Sequence, residues 1–218
     1  MRIKPKKSLG QNFLIDKNII KKIAEVYPIN NSEVIEIGPG TGNLTEILIK
    51  KKPKKIFLIE KDKNLFLDLK KKFNKINIFN DDILKLSLKN IINEKTIIFG
   101  NLPYNISSQI LIKFILNEEN LPFKILILMF QKELADRIIA QPNTSNYGRL
   151  TILTNWKFTV KKLFEVSPNS FFPKPKIKST LLLFKKKENF NLFKDPETLG
   201  KITKVFFNQR RKKIKNQF

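Results

Sequence analysis

Glu36-Ile-Gly-Pro-Gly-Thr-Gly42 ends one short apolar stretch, residues 34–37, and opens an amphipathic one, residues 41–51. A strand that turns into a helix through three glycines lets the backbone bend tightly and come close to a ligand. Phosphate is the familiar ligand of such loops. Here no Lys-Ser/Thr pair follows the last glycine, so the loop is not a P-loop. The acidic Glu36 ahead of the glycines would also repel a pyrophosphate.

The same alternation continues on both sides of the loop. Asp16 is positioned to cap a helix over residues 17–26, with Ile19, Ile20, Ile23 and Val26 at helical spacing and Pro28 as its stop. Strands are expected at 56–59, 76–79, 96–99 and 125–130, and helices at 62–73, 106–116 and 131–139. Short apolar strands separated by amphipathic helices mean a parallel sheet covered on both faces. The pattern then breaks. Residues 157–166 and 177–185 are both strand-like with no helix between them, and the loop joining them carries Pro168, Pro173 and Pro175. That predicts an antiparallel hairpin at one sheet edge. The expected fold is α/β, a Rossmann-like, mostly parallel seven-stranded sheet of the class I S-adenosylmethionine-dependent methyltransferase type. Residues 1–187 would form this domain, and 188–218 a small, shortened helical module with one basic helix over 198–215.

Carboxylates follow three successive strands. Glu36 suits the amino-acid end of S-adenosylmethionine. Glu60 stands roughly 20 residues past the loop, where a doubly wound fold places the acceptor for a ribose diol. Asp81 and Asp82 close the third strand, placed to accept from an adenine amino group. A solvated-carboxylate reading fits each residue alone but not the ordered set. A dinucleotide-dependent dehydrogenase fits less well, because neither a hydride-transfer acid nor a second catalytic domain is visible.

Asn101-Leu-Pro-Tyr104 follows the fourth strand, at the carboxyl edge of the sheet and so beside the reactive end of such a cofactor. An exocyclic amine is a poor nucleophile because its lone pair is delocalised into the ring. The Asn101 side-chain oxygen and the Leu102 carbonyl can accept both amino hydrogens and pull the nitrogen toward tetrahedral geometry. Pro103 stiffens the turn. Tyr104 offers a π-face for a flipped base, worth roughly 1–3 kcal/mol. No strong base is required: the amine attacks in line and its cationic product loses a proton to water. Most of the acceleration would come from orientation, on the order of 7–11 kcal/mol. Phe171 and Phe172, in the proline-rich loop, are expected as exposed aromatics that close over the other face of the base, Phe171 above all.

The chain has neither Cys nor His. Disulfides, thiolate metal sites, Cys nucleophiles and imidazole bases are therefore excluded, and with them the usual route to pyrimidine C5 methylation. No metal is expected. Lys and Arg number 43 against 19 acidic residues, a net charge of +24. Codon bias accounts for Lys outnumbering Arg but not for the scarcity of acids, so a polyanionic partner is expected. Lys4, Lys6, Lys7, Lys174, Lys176, Lys178, Arg210, Arg211, Lys212, Lys213 and Lys215 would flank the active face. The run from Lys50 to Lys55 reads as a solvated turn on the opposite edge. The longest apolar run is the six residues 125–130, far short of a membrane span, and the basic N-terminus lacks a signal-peptide core. A cytoplasmic monomer without membrane contact is expected.

Five stretches resemble the small-subunit ribosomal RNA adenine dimethyltransferases, relatives of the erythromycin-resistance methylases: Leu9-Gly-Gln-Asn-Phe-Leu14, the glycine loop, Phe99-Gly-Asn-Leu-Pro-Tyr-Asn-Ile106, Tyr147-Gly-Arg-Leu150 and Phe171-Phe-Pro-Lys-Pro-Lys-Ile177. A sixth is Phe207-Asn-Gln-Arg-Arg-Lys212. The resemblance implies dimethylation of the N6 amines of two adjacent adenosines near the 3′ end of 16S rRNA in the immature small subunit. It implies S-adenosylmethionine contacts from Asn12, Leu14, Gly38, Glu60, Asp82 and Asn101. Spacing alone would make Phe13 and Leu14 helix-start hydrophobes. Family members normally continue for several more helices beyond the point reached at Phe218. The rival expectations are methylation of a large-subunit rRNA adenine, a non-catalytic RNA-binding assembly factor and a DNA adenine methyltransferase.

Overall fold

The computed structural model describes residues 5–117, 121–188 and 196–208. Its main sheet has seven strands in the order β4-β3-β2-β5-β6-β9-β7, where β2 is Glu33–Ile37, β3 Lys55–Ile59, β4 Asn77–Phe79, β5 Thr96–Asn101, β6 Ile125–Gln131, β7 Phe158–Val166 and β9 Ser179–Lys186. The first five pair in parallel, and β9 runs antiparallel to both neighbours. This is the layout expected of a class I methyltransferase. The hairpin expected from the proline-rich loop is present, with β9 inserted between β6 and β7 so that β7 forms the edge.

The strands read as continuous apolar runs because both faces are buried. In β6, Ile125, Ile127 and Met129 enter one core while Leu126, Leu128 and Phe130 enter the other. The first core lies under α1 (Lys17–Glu25) and α2 (Asn43–Lys50), through Ile20, Ile23, Leu44 and Leu48. The second lies under α4 (Ser107–Ile112), α5 (Lys132–Ile138) and α6 (Arg149–Lys157). The helix α3 (Lys63–Lys72) begins at Asp62, whose side chain accepts from the N–H groups of Asn64 and Leu65. Asp16 caps α1 in the same way, at 3.0 Å from Asn18 and 3.2 Å from Ile19, worth about 1 kcal/mol.

Three features depart from the expected elements. The helix expected over 106–116 stops at Ile112 and continues as a π-helical turn, Lys113–Asn117. The fully buried Lys157 donates from Nζ to the turn's carbonyls at Phe114 and Ile115, 2.7 and 3.0 Å away. Helix α6 is additional to the expected set. Thr151, Leu153, Thr154 and Lys157 are all buried on it, so no one-sided apolar stripe betrays it. Finally, Phe13–Leu14 (β1) forms a two-stranded antiparallel ribbon with Phe171–Phe172 (β8), not a helix start. Helix α7 (Pro196–Asn208) packs on α6 and the π turn, with Thr203 buried; the rest of the basic helix expected to Lys215, Arg210 and Arg211 included, lies outside the described residues, as does Lys4.

Candidate functional site

The parallel strands end on one edge of the sheet, and there a single cleft gathers most of the expected residues: Asn12, Leu14, Gly38, Glu60, Asp82 and Asn101 all line it, with Leu102, Pro103 and Tyr104. The sheet supplies one wall. Gly38 sits at φ +66 and donates its N–H to the Ile59 carbonyl at 2.9 Å. A Cβ built there would meet only the Asn101 carbonyl, in van der Waals contact at 3.7 Å. The loop thus leaves a cradle that a side chain would fill.

Glu60 is 6% exposed and already accepts two backbone donors, Gly40 N–H on Oε2 at 3.1 Å and Asp62 N–H on Oε1 at 2.8 Å. Burial nevertheless pushes its pKa up to about 7. Each oxygen keeps a lone pair, so the carboxylate is oriented and still under-satisfied, which suits a diol. Glu36 is buried and accepts from the Thr45 hydroxyl at 2.6 Å; burial lifts it to about 7 as well. Asp81 is exposed, and its Oδ1 accepts the N–H of Asp82 at 2.7 Å. Asp82 accepts from Leu84 N–H and from Lys61 Nζ, at 3.0 and 2.8 Å. Burial alone would raise its pKa, but those two bonds, with the charges of Lys61 and Lys85, outweigh it and hold the carboxyl below its usual value. With a cradle, a diol acceptor and an anionic acceptor at the third strand, the residues fit S-adenosylmethionine.

The other wall is the segment from Ser8 to Leu14, which crosses the cleft as a strap. Two glycine contacts record how closely it lies. At Gly40 (φ +58) a Cβ would stand 2.8 Å from the Phe13 ring, and at Gly10 (φ +62) 2.8 Å from the Asn105 side-chain oxygen. The strap is also bonded into the reacting centre, where Asn101 donates from Nδ2 to the Asn12 carbonyl at 3.0 Å. That bond fixes the amide's orientation and leaves Oδ1, the acceptor, for a ligand. Asn43 holds the Leu14 carbonyl at 2.7 Å. Spacing gave no hint of these roles for Asn12 and Leu14; the contacting partners lie 89 and 29 residues away.

Tyr104 bonds through its hydroxyl to Ser179 Oγ at 2.7 Å, which anchors the ring to the first residue of β9. Burial raises its pKa, against the opposing effect of Ser179, so the phenol stays protonated near neutrality. Ser179 was not among the expected site residues, and only the hairpin's three-dimensional register brings it here.

The aromatic loop differs from expectation. Phe171 is 3% exposed and packs in the core with Leu14 and Leu181, which line the cleft while it does not, whereas Phe172 is 55% exposed and also stands outside the cleft lining. Neighbouring strand residues point to opposite faces, and Leu14↔Phe171 is the inward pair of the β1–β8 ribbon. Among the flanking lysines, 174, 176 and 178 are exposed, while Lys6 is tied to Asp62 at 2.8 Å. The run from Lys50 to Lys55 lies between α2 and the start of β3, on the edge opposite the cleft.

Among the described residues, no helix is long and apolar enough to cross a membrane, and no group of three His, Cys, Asp or Glu side chains converges as a metal site.

Comparison with known proteins agrees with this geometry. A ribosomal RNA small subunit methyltransferase A from Pelagibacter ubique is 58% identical over 220 residues, covering 100% of this chain and 84% of its own length. A protein of the same name from Mesomycoplasma hyopneumoniae is 45% identical over 97% of this chain and 80% of its own. The crystal structure of a dimethyladenosine transferase from Plasmodium falciparum superposes with a TM-score of 0.80 at 32% identity, over 94% of this chain and 74% of that one. The ribosomal RNA adenine dimethylase profile matches residues 2–218, so the protein whose cleft is described above belongs to the ribosomal RNA adenine dimethylase family.

Proposed function

We propose that this S-adenosylmethionine-dependent rRNA adenine dimethyltransferase acts on the N6 amines of two adjacent adenosines near the 3′ end of 16S rRNA, in the immature small subunit. The observation that carries the chemistry is the Asn101 amide in the cleft wall, whose Nδ2 is committed to the Asn12 carbonyl, which leaves Oδ1 as the acceptor. The small-subunit target rests on the relatives, which bear the name of small-subunit methyltransferases at up to 58% identity.

Cofactor binding is assigned to Asn12, Leu14, Gly38, Glu60, Asp82 and Asn101. When bound, S-adenosylmethionine supplies an electrophilic methyl group on a sulfonium sulfur. The protein's own part is to present the acceptor. Asn101 Oδ1 and the Leu102 carbonyl accept the two amino hydrogens and turn the nitrogen lone pair out of conjugation. Tyr104, anchored by Ser179, stacks on one face of the base, and Pro103 fixes the turn between them. The other face is assigned to the Phe171–Phe172 loop. Phe172 presents the exposed ring, and Phe171 reaches the base only if the short β1–β8 ribbon opens. No side chain in the cleft need act as a base, because the methylated amine is cationic and releases its proton to water.

The lysines at 174, 176 and 178 stand on the loop that carries Phe172 and fit phosphate contacts. Such contacts give affinity with a steep salt dependence. An adenine already displayed in an RNA loop would be the least costly to flip. The reading includes a cytoplasmic monomer with a catalytic domain over residues 1–187 and the start of a helical module over 188–218. It is tested by offering the protein isolated unmethylated small subunits and naked large-subunit rRNA side by side. Methylation confined to the small subunit is the expected result; methylation of the large-subunit RNA alone would overturn the assignment.

A further inference from the structure

The strap is fastened at a point remote from the reacting centre. Lys6 Nζ lies 2.8 Å from Asp62 Oδ2, and Gln11 Nε2 donates to that same oxygen at 3.2 Å. Gln11 in turn accepts the Lys6 backbone N–H at 2.7 Å, so Lys6, just ahead of the strap, and Gln11 within it brace each other. The Asp62 side chain is 2% exposed, whereas that of Lys6 is 47% exposed. The other oxygen of Asp62 caps α3, and its backbone N–H orients Glu60 at 2.8 Å. Burial pushes the carboxyl up, but the bonds from Lys6, Asn64, Leu65 and Gln11 outweigh it and hold it below its usual value. It is therefore an anion at neutral pH, shared between a wall of the cleft that belongs to the sheet and one that does not.

We propose that Asp62 is a positioning residue for the cofactor: its Oδ2 latches the strap shut over bound S-adenosylmethionine through Lys6 and Gln11, and so sets the rate at which cofactor and product leave. The inference rests on the assignment of this cleft to that cofactor. It does not require Asp62 to touch the ligand. The C-terminal end of the strap is secured by the two-residue ribbon, by burial of Phe13 and Leu14 and by side-chain bonds from Asn43 and Asn101, so the doubly used Asp62 oxygen is what fastens its N-terminal part.

Asp62→Asn isolates the latch. Asparagine caps a helix nearly as well as aspartate, and the backbone N–H to Glu60 is retained. Its amide nitrogen, however, would stand where Lys6 and Gln11 both donate. S-adenosylhomocysteine should dissociate from the variant about tenfold faster, in line with the loss of charge-assisted bonds. The KM for S-adenosylmethionine should rise while kcat at saturation changes less than twofold. Backbone amides 8–14 should exchange with deuterium faster in the free protein, with the amides of α3 unchanged. Lys6→Met should give part of each effect, and should add nothing in the Asp62→Asn background. Wild-type dissociation and strap exchange in Asp62→Asn would overturn the latch, as would a loss of kcat with KM unchanged. Failure of the wild-type protein to bind S-adenosylhomocysteine would instead refute the cofactor assignment. If Asp62→Asn does not fold, the Lys6→Met dissociation rate decides alone.

Discussion

The two walls of the cleft are built on different principles. The sheet wall, with Gly38, Glu60, Asp82 and Asn101, is held by continuous ladders on strands whose side chains fill two cores. The strap wall has two residues of ladder, two buried side chains (Phe13 and Leu14) and a few side-chain bonds to Asn43, Asp62 and Asn101. The sheet wall is therefore fixed at the cost of global unfolding, while the strap can open at a small fraction of that cost. In the proposed division of labour, the fixed wall aligns the acceptor amine and the strap lets the cofactor in and its product out. Substitutions on the sheet side should act on catalysis, those on the strap side on cofactor exchange.

The sharpest break of that comparison is at Asn101, which belongs to the sheet and bonds to the strap. Asn101→Ala should lower kcat by about 10²–10³-fold, since it removes the acceptor that reshapes the amine, the scale seen when one preorganised polar group is removed from an active site. Cofactor affinity should fall no more than about tenfold, the worth of one lost hydrogen bond. Single-turnover methyl transfer and calorimetric titration separate the two, and wild-type turnover would sink the mechanism.

Gly40 tests the seam from the other side. Alanine there adds a Cβ 2.8 Å from the Phe13 ring at φ +58, a conformation that costs about 1–2 kcal/mol for other residues. The strap should be displaced and cofactor affinity should drop at least tenfold. Phe13→Ala in the same chain should recover part of the loss, as coupled neighbours do. Affinity in Gly40→Ala equal to wild type would show that the strap does not close on the loop.

A smaller effect is expected from titration. Glu60 stands at about 7 against an ordinary 4.5, so the free fold binds a proton that the unfolded chain has lost. This group's stability contribution is full below 4.5 and is lost as pH rises through 7. Cofactor binding has the opposite sign, because the carboxylate must accept. S-adenosylhomocysteine should bind about tenfold more weakly at pH 6 than at pH 8, and Glu60→Gln should flatten most of that slope. Any slope that survives belongs to Glu36, whose pKa is also about 7. An unchanged profile in Glu60→Gln would remove Glu60 from the diol site.

The sheet wall was legible in the chain because its signals are local. An apolar run, three glycines and a carboxylate at each strand end announce strand, turn and acceptor within about ten residues. The strap was not legible, since Phe13 and Leu14 pair with Phe172 and Phe171 some 158 residues away, and a two-residue strand has no periodicity to read. The same pairing buries Phe171, one of the two rings expected to be exposed, because a ribbon's register, not the presence of prolines, decides which ring faces out. Helix α6 escaped because three of its four buried residues, Thr151, Thr154 and Lys157, are polar. Family resemblance reached Asn12 and Leu14 where physical reading of the sequence did not.

The two phenylalanines of the ribbon give the smallest expected effect. Phe172→Ala should leave melting temperature and cofactor affinity unchanged and raise the KM for RNA severalfold, as loss of about 1 kcal/mol of stacking does. Phe171→Leu, which keeps the packing and removes the ring, should be milder in turnover. A larger kcat loss in Phe171→Leu than in Phe172→Ala would mean that the ribbon opens and Phe171 stacks on the base.

The most direct measurement is a nucleoside analysis. Unmethylated small subunits are incubated with methyl-labelled S-adenosylmethionine and either the wild-type protein or Asn101→Ala, and the 16S rRNA is digested to nucleosides. N6,N6-dimethyladenosine from two adjacent positions with the wild type, and none with the variant, is the predicted result. Label in any other nucleoside, or dimethyladenosine from the variant at the wild-type rate, would contradict an adenine-dimethylating centre built on Asn101.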